Sequence, residues 1–498
     1  MSDICLLLEG TYPYVAGGVS TWVHDLIKEM PEVSFSILYL GPHRYAAKKM
    51  HYKMPDNVTD FNEHYIFDYE ASPTFKLPSL KKKKAFTAVK DFLISMKKGD
   101  TTAFNRLADI MGMDGGKALG LDDLVYSYEA WKILEAIYAR EAKNVSFIDY
   151  FWSWRFIYLP FFSLLRVNLP EARLYHAVST GYAGVLGALA KHRRMRPFIL
   201  TEHGIYTRER KIEISQADWI YSESARDLKV TEEKDFFKEW WIDFFSFFSR
   251  LAYDRADNII TLFEGNRTIQ IEEGAPEEKT RVIPNGVDIR ALSALGRNRE
   301  KKDVFRVGFM GRIVPIKDVK TFIRACRIIY SELKNVEFYI MGPTDEDKEY
   351  YRECTLLTQM QGLEHVVRFT GKVNVKDYYP KIDVIVLTSI SEGQPLVVLE
   401  AGACGIPSVA TDVGSCRELL HGSSPDDRLL GPGGIITPMY NPEKTAEAVI
   451  RLARDKDLYN RMSKVGKMRV ARYYQMDNVI AGYRALYARR MSEVRWRE

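Results

Sequence analysis

The chain of 498 residues has only five cysteines, Cys5, Cys326, Cys354, Cys404 and Cys416, and no two of them form a CxxC pair. An odd, scattered set excludes a disulfide frame or a zinc site and reads as small core residues in a reducing compartment. No stretch approaches the roughly 18 uninterrupted apolar residues of a transmembrane helix. Met1-Ser2-Asp3 brings no basic region or cleavage signal and runs into a strand-like segment, so no signal peptide is expected. Charge of one sign is scarce too. The 71 Lys plus Arg against 66 Asp plus Glu leave +5, too small an excess to argue for nucleic acid. The remainder is ordinary globular material, 46% hydrophobic and 28% charged, which excludes disorder and suffices for a sizeable core. At roughly 100–200 residues per domain the length implies two to four domains. The expectation is a cytoplasmic, multidomain protein.

Periodicity sets the organisation. Ile4 to Leu8 is an apolar run of buried parallel-strand type, followed by a glycine-containing loop to Gly18. Ser20 can cap a helix carrying Trp22, Val23, Leu26, Ile27 and Met30, and a second strand spans Phe35 to Leu40. This β-α-β unit predicts a doubly wound α/β domain. Residues from about 45 to 150, with the Lys81 to Lys84 run, read as a helical insertion. Strands resume at Leu174 to Val178, Phe198 to Thr201 and Asn258 to Leu262. The first domain therefore covers 1–286, a polar linker 287–302, a second α/β domain 303–475, and a C-terminal helix 476–498 packs back on the first. Strands of the second domain are expected at Phe305 to Met310, Val336 to Met341, Val366 to Phe369, Val384 to Leu387 and Ser408 to Ala410.

The residues that carry chemistry gather where these strands end. In Ser391-Glu392-Gly393-Gln394-Pro395-Leu396-Val397-Val398-Leu399-Glu400-Ala401 a helix is expected to begin at Pro395, where a missing N–H costs nothing. Free N–H groups of Gln394, Leu396 and Val397 then make a ready anion site, with Glu392 in the loop and Glu400 about two turns inside the helix. Alone, two glutamates are as well explained by a helix cap and a surface residue. Gly311-Arg312 and Lys317 follow another strand, and a guanidinium and an ammonium there suit a departing diphosphate without metal. Gly17-Gly18 lets backbone approach a phosphate, although one such pair is more often a flexible turn.

Together with Val282-Ile283-Pro284-Asn285-Gly286-Val287-Asp288, these motifs resemble glycosyltransferase family 4, retaining nucleotide-sugar enzymes of GT-B fold. The resemblance implies two Rossmann-like doubly wound domains facing a cleft. It implies that Glu392 contacts the donor sugar and Glu400 the ribose hydroxyls. Arg312 and Lys317 would bind the diphosphate, with Gly17, Gly18, Gly311, Gly393, Gln394, Pro395, Leu396 and Val397 around the donor. His203, in Thr201-Glu202-His203-Gly204, matches a histidine near the transferred sugar, although a lone histidine is more often structural. The family usually has an aromatic residue where this chain has Gln394, which leaves the sugar open. The text from Cys5 to Ser20 and from Glu202 to Arg210 is similar to the glycosyltransferases of Pel exopolysaccharide synthesis. That likeness implies a UDP-sugar donor, a polysaccharide acceptor, no required cofactor or metal, and an inner-membrane synthase complex as partner. Arg208, Arg210 and Asn285 would line the cleft, the bland reading of the first two being an exposed charged turn.

Other signals carry less. Gly112 to Ala118 has the wrong spacing for a P-loop, with Ala118 where a Ser or Thr must hold magnesium. The aromatic runs Tyr150 to Tyr158 and Trp240 to Phe245 read mainly as core, with a docking surface as the lesser alternative. Two rivals to a Pel-type transferase stay open: a starch- or sucrose-synthase-like enzyme using ADP- or UDP-glucose, and a non-catalytic UDP-sugar sensor docking on a membrane complex.

Overall fold

The structure, a computed structural model, describes residues 1–44, 49–69, 82–112, 119–216, 230–295 and 304–493. The chain divides into two units, the first formed by residues 1–261, 267–281 and 484 onward, the second by 262–266 and 282–483.

In the first unit seven strands, β1 (Ser2–Glu9), β2 (Phe35–Gly41), β3 (Val58–Tyr65), β4 (Ala172–Ala177), β5 (Phe198–Glu202), β6 (Asn258–Thr261) and β7 (Thr280–Val282), form one sheet. Their order is β3-β2-β1-β4-β5-β6-β7. The pairs from β3 through β6 are parallel, so all those strands end at one edge. Ile4 to Leu8 are wholly buried, as a central strand covered on both faces requires. Helix α1 (Gly18–Lys28) starts three residues earlier than the Ser20 cap implied. Gly17 stands at its cap and Ser20 is buried inside the first turn.

The region from about 45 to 150 is not wholly helical, because β3 lies inside it as an edge strand. Its sequence, VTDFNEHY, is mostly polar because most of the strand is open to water, so it lacks the apolar signature of its neighbours. The helices that follow are α2 (Lys83–Lys97), α3 (Phe104–Gly112), α4 (Leu121–Tyr126), α5 (Tyr128–Glu141) and α6 (Phe147–Leu164), so the insertion runs past residue 150. Helices α7 (Tyr182–Arg194), α8 (Tyr206–Gln216) and α9 (Val230–Arg255) complete the set used below. The aromatic runs split between core and surface. Tyr150 stacks on Trp240 at 4.8 Å in the interior, whereas Ile148 and Trp152 of α6 are exposed. Lys81 and Met113 to Ala118 lie outside the described residues.

The second unit repeats the plan with β8 (Phe305–Met310), β9 (Val336–Met341), β10 (Val367–Gly371), β11 (Val384–Leu387), β12 (Ser408–Thr411) and β13 (Gly434–Thr437). All pairs are parallel in the order β10-β9-β8-β11-β12-β13. The four-residue β13 is an addition to the expected set, its short apolar run set among the glycines and prolines of Gly431-Pro432-Gly433-Gly434 and Pro438. Part of the stretch read as a linker is folded. Val287 bridges to Gln475, and the Asp288 carboxylate caps a helix Ile289–Ser293. Inside this unit the Arg469 guanidinium and Asp427 carboxylate pair at 2.6 Å with no exposure at all. Among the described residues, no helix is long and apolar enough to cross a membrane.

Candidate functional site

In a parallel sheet the loops leaving the strand ends beside a reversal of strand order form the natural ligand crevice. In the second unit that reversal lies between β8 and β11, and Gly311, Arg312, Lys317, Glu392 and the following helix all stem from those two strands.

After β8 the chain enters a tight turn, Pro315–Lys317. The Lys317 ammonium donates to Glu392 Oε1 at 2.5 Å, and Ser389 Oγ donates to the same oxygen at 2.6 Å. Both charged side chains are largely buried, 18% and 10% exposed. The backbone fixes this meeting. Ile390 N–H donates to the Ile316 carbonyl at 2.9 Å, and Thr388 Oγ1 donates to the carbonyls of Lys317 and Asp318. Close approach elsewhere explains two glycines. A β-carbon at Gly342, at the end of β9, would collide with the Gly311 carbonyl, and one at Gly414 with the carbonyls of Glu392 and Gly393. Gly414 also has φ of 52°, which disfavours any side chain.

Arg312 stands apart from this cluster, half exposed, with its guanidinium paired to Glu346. The helix that follows spans Leu396–Cys404 and ends at Gly405 with φ of 70°. Pro395 is the cap residue of this helix and not its first member, so Glu400 sits little more than one turn inside and not two. Leu396 and Val397 occupy the first turn, whose N–H groups have no intrahelical acceptors. Tyr379 OH donates to Glu400 Oε2 at 2.5 Å, and burial pushes the Glu400 carboxyl above its ordinary value against the opposing effect of that bond. Gln394 is buried and structural in its contacts. Its Oε1 accepts from the Asn285 backbone N–H at 2.5 Å, and its Nε2 donates to the Leu262 carbonyl at 3.3 Å. Asn285 Oδ1 is buried without a hydrogen-bond partner. Tyr379 and Ser389 were missed by sequence reasoning, for an isolated tyrosine and serine carry no spacing signal.

In the first unit, Gly17 and Gly18 form the start of α1 with open space where a β-carbon would sit. His203 follows β5 and meets Trp22 of α1 edge to face at 4.7 Å. Its Nε2 is buried without a hydrogen-bond partner, and burial lowers its pKa to about 4, so the ring is neutral at physiological pH. Arg208 is exposed, 3.9 Å from Glu273. Arg210 pairs with Glu213 at 2.6 Å and lies over the Tyr206 ring at 4.9 Å. A buried acid that motif reasoning passed over is Glu9, at the end of β1. Its carboxylate accepts from Tyr206 OH at 3.2 Å, from Ala183 N–H at 3.4 Å and from Ser179 Oγ at 3.5 Å, while burial raises its pKa. A charged residue closing the apolar run Ile4 to Leu8, just before Gly10, was its only signal.

Residues 2–278 match the protein family described as "Domain of unknown function (DUF3492)". The chain belongs to that family. Residues 304–455 match a second family, "Glycosyl transferases group 1". A D-inositol 3-phosphate glycosyltransferase of Paenarthrobacter aurescens is 27% identical over 207 residues, 38% of this chain and 45% of that one. The enzyme of the same name from Kribbella flavida is 28% identical over 219 residues, 42% and 49% of the two chains. The chain thus spans about half the length of these relatives. HepE of Anabaena, solved in complex with UDP, has a TM-score of 0.60 at 15% identity, covering 98% of this chain and 100% of that one. Sucrose-phosphate synthase of Thermosynechococcus elongatus has a TM-score of 0.57 at 16% identity, covering 99% and 100%. These likenesses, with the two parallel sheets, show the GT-B fold.

Proposed function

We propose that the protein is a retaining glycosyltransferase that moves a hexose or N-acetylhexosamine from a UDP-sugar to a growing exopolysaccharide, as in the PelF type. The observation that carries the reading is the Lys317–Glu392 pair, seated at the ends of β8 and β11 beside a helix start. Such an arrangement offers a cation and free N–H groups to a diphosphate and a carboxylate to sugar hydroxyls. UDP bound to HepE, a protein of the same fold, supports the choice of donor.

The reaction needs no side-chain nucleophile. The bond between the anomeric carbon and the diphosphate oxygen breaks, and an acceptor hydroxyl attacks from the same face. The departing phosphate oxygen takes the acceptor proton. Lys317, Arg312 and the first turn of the Leu396–Cys404 helix stabilise the charge that develops on the leaving group. Glu392 orients the sugar and Glu400 the ribose. Neither Lys317 nor Arg312 requires a metal ion beside it to do this. An inner-membrane synthase complex is the expected partner.

Calorimetric titration with UDP, ADP and GDP in the presence of EDTA tests the reading. UDP-selective binding that survives EDTA and weakens in Arg312→Ala is the expected result. ADP preference would favour a starch- or sucrose-synthase-like enzyme, and UDP binding without donor consumption would favour a sensor. Absence of nucleotide binding would overturn the proposal.

A further inference from the structure

Parallel strands begin at one edge of their sheet and end at the other. At the edge where β4 and β5 begin, opposite the one that bears Glu9 and His203, the first unit holds a cavity of about 320 Å³. Three stretches of chain enclose it. Gly112 ends α3, Arg166 to Leu169 lead from α6 into β4, and Arg193 and Arg194 end α7. Three arginines thus line one small space. Among the described residues, its lining contains no Asp or Glu.

Helix capping accounts for part of what these arginines do. Arg166 Nη1 donates to the Leu119 carbonyl at 3.0 Å and to the Met111 carbonyl at 3.5 Å. Arg193 Nη2 donates to the Ala108 carbonyl, and Arg194 Nη2 to the Leu169 carbonyl at 2.8 Å. These bonds engage one nitrogen of each guanidinium, whose fork carries five N–H groups in all. Carbonyls at helix ends also bring only partial negative charge against three full positive ones. Carboxylates stand at the margin. Glu171, 71% exposed, lies 3.8 Å from Arg194, and Asp109 is taken up by His192 at 2.6 Å. Burial lowers the Arg193 pKa; Asp109 opposes this, while the like charges of Arg166 and Arg194 reinforce it. Such a cluster is unfavourable until an anion joins it.

The anion must carry concentrated charge and accept hydrogen bonds on several sides. A phosphate monoester does both, and its oxygens match guanidinium forks two at a time. A lone carboxylate would answer one arginine of the three. A nucleotide would find no aromatic side chain in the lining on which to stack its base. The volume lies near the lower limit of the roughly 300–1,000 Å³ of small-molecule pockets, enough for a phosphate on a small organic group. We infer that this cavity binds the phosphate of a small phosphorylated molecule or of a lipid head group through Arg166, Arg193 and Arg194. The site is built wholly within the first unit, whereas Lys317 and Glu392 belong to the second, and it does not depend on the transferase reading.

Calorimetric titration of the full-length protein with glycerol 3-phosphate, at low ionic strength and in saturating UDP, tests this. Binding is expected, and Asn168→Asp should weaken it about tenfold. Asn168 is an exposed residue of the lining, so this variant sets a carboxylate beside the arginines and leaves their carbonyl contacts in place. Arg166→Lys keeps the charge, loses the fork and should weaken binding as well. Flotation with phosphatidylcholine vesicles containing one-fifth phosphatidic acid identifies the source. Flotation that Asn168→Asp abolishes would assign the phosphate to a lipid, and glycerol 3-phosphate binding without flotation would assign it to a free molecule. Equal binding by wild type and both variants would overturn the site, as would failure of both probes. Binding lost in Lys317→Ala and kept in Asn168→Asp would put the anion in the second unit and overturn the site too.

Discussion

Seventy-five residues separate Lys317 from Glu392, yet their side chains meet in a largely buried ion pair. Because the lysine is proposed to meet charge that grows only during reaction, Lys317→Ala should lower turnover by about 10²–10³. Its stability cost should be about 1–3 kcal/mol, held down because Ser389 still donates to Glu392. Steady-state donor hydrolysis set beside thermal melts checks this, and near wild-type turnover would remove the assigned role. A second residue-scale expectation concerns pH. Burial raises the Glu202 carboxyl from 4.5 to about 7, although Tyr206 N–H, Tyr253 OH and Gln270 Nε2 donate to it. Its stabilising contribution is therefore full below about 4.5 and lost as pH rises through about 7. His176 and His203, lowered by burial from 6.5 to about 3 and about 4, act in the opposite sense, losing their contribution as pH falls below 6.5. Over pH 5–6.5 one raised acid opposes two lowered bases. Glu202→Gln should then make stability climb more steeply with pH, by up to about 1.4 kcal/mol per pH unit, whatever its absolute cost. Denaturant melts at pH 5 and 6.5 measure both slopes, and equal slopes would refute the assignment.

At the scale of elements, the strands and glycines bearing the candidate donor site were legible because buried parallel strands are apolar throughout and their ends are punctuated. Ile4 to Leu8 and Val384 to Leu387 announce themselves this way, and Phe305 to Met310 does so despite Arg306. The polar edge strand β3 and the short β13 do not, and the Leu396–Cys404 helix begins one residue later than its proline suggested. Contacts across the sequence were beyond reach. Nothing local says that Gln394 reaches Asn285, that Tyr379 reaches Glu400, or that α6 and α9 bring Phe156 and Trp241 together. Gly414 belongs to the same class, since its role is to let one loop pass against another. Gly414→Ala combines an unfavourable positive φ with collision against the Glu392 and Gly393 carbonyls. It should cost about 1–3 kcal/mol and displace Glu392, lowering activity along with stability. A fully active, equally stable variant would show that the loop carrying Glu392 can shift without penalty.

For the whole molecule, the first unit is assembled from three separate stretches of chain, the last beginning at Arg484. Tyr487 OH lies 2.7 Å from His176 Nδ1, Arg484 reaches Glu32 at 2.6 Å, and Arg490 reaches Asn258 at 2.6 Å. Ending the chain after Tyr483 would remove all three contacts and uncover the wholly buried His176. Such a truncation should destabilise the first unit by about 2–5 kcal/mol, with a smaller change in the second, as site-resolved hydrogen exchange would show. Matching protection in truncated and complete chains would contradict this. The same topology orders events on the ribosome. The first unit cannot reach its final form until the residues from Arg484 onward have emerged, whereas every residue of the second unit has been synthesised by then. Completion therefore runs against the direction of synthesis, and the first unit waits, unfinished, for the segment from Arg484 to close it.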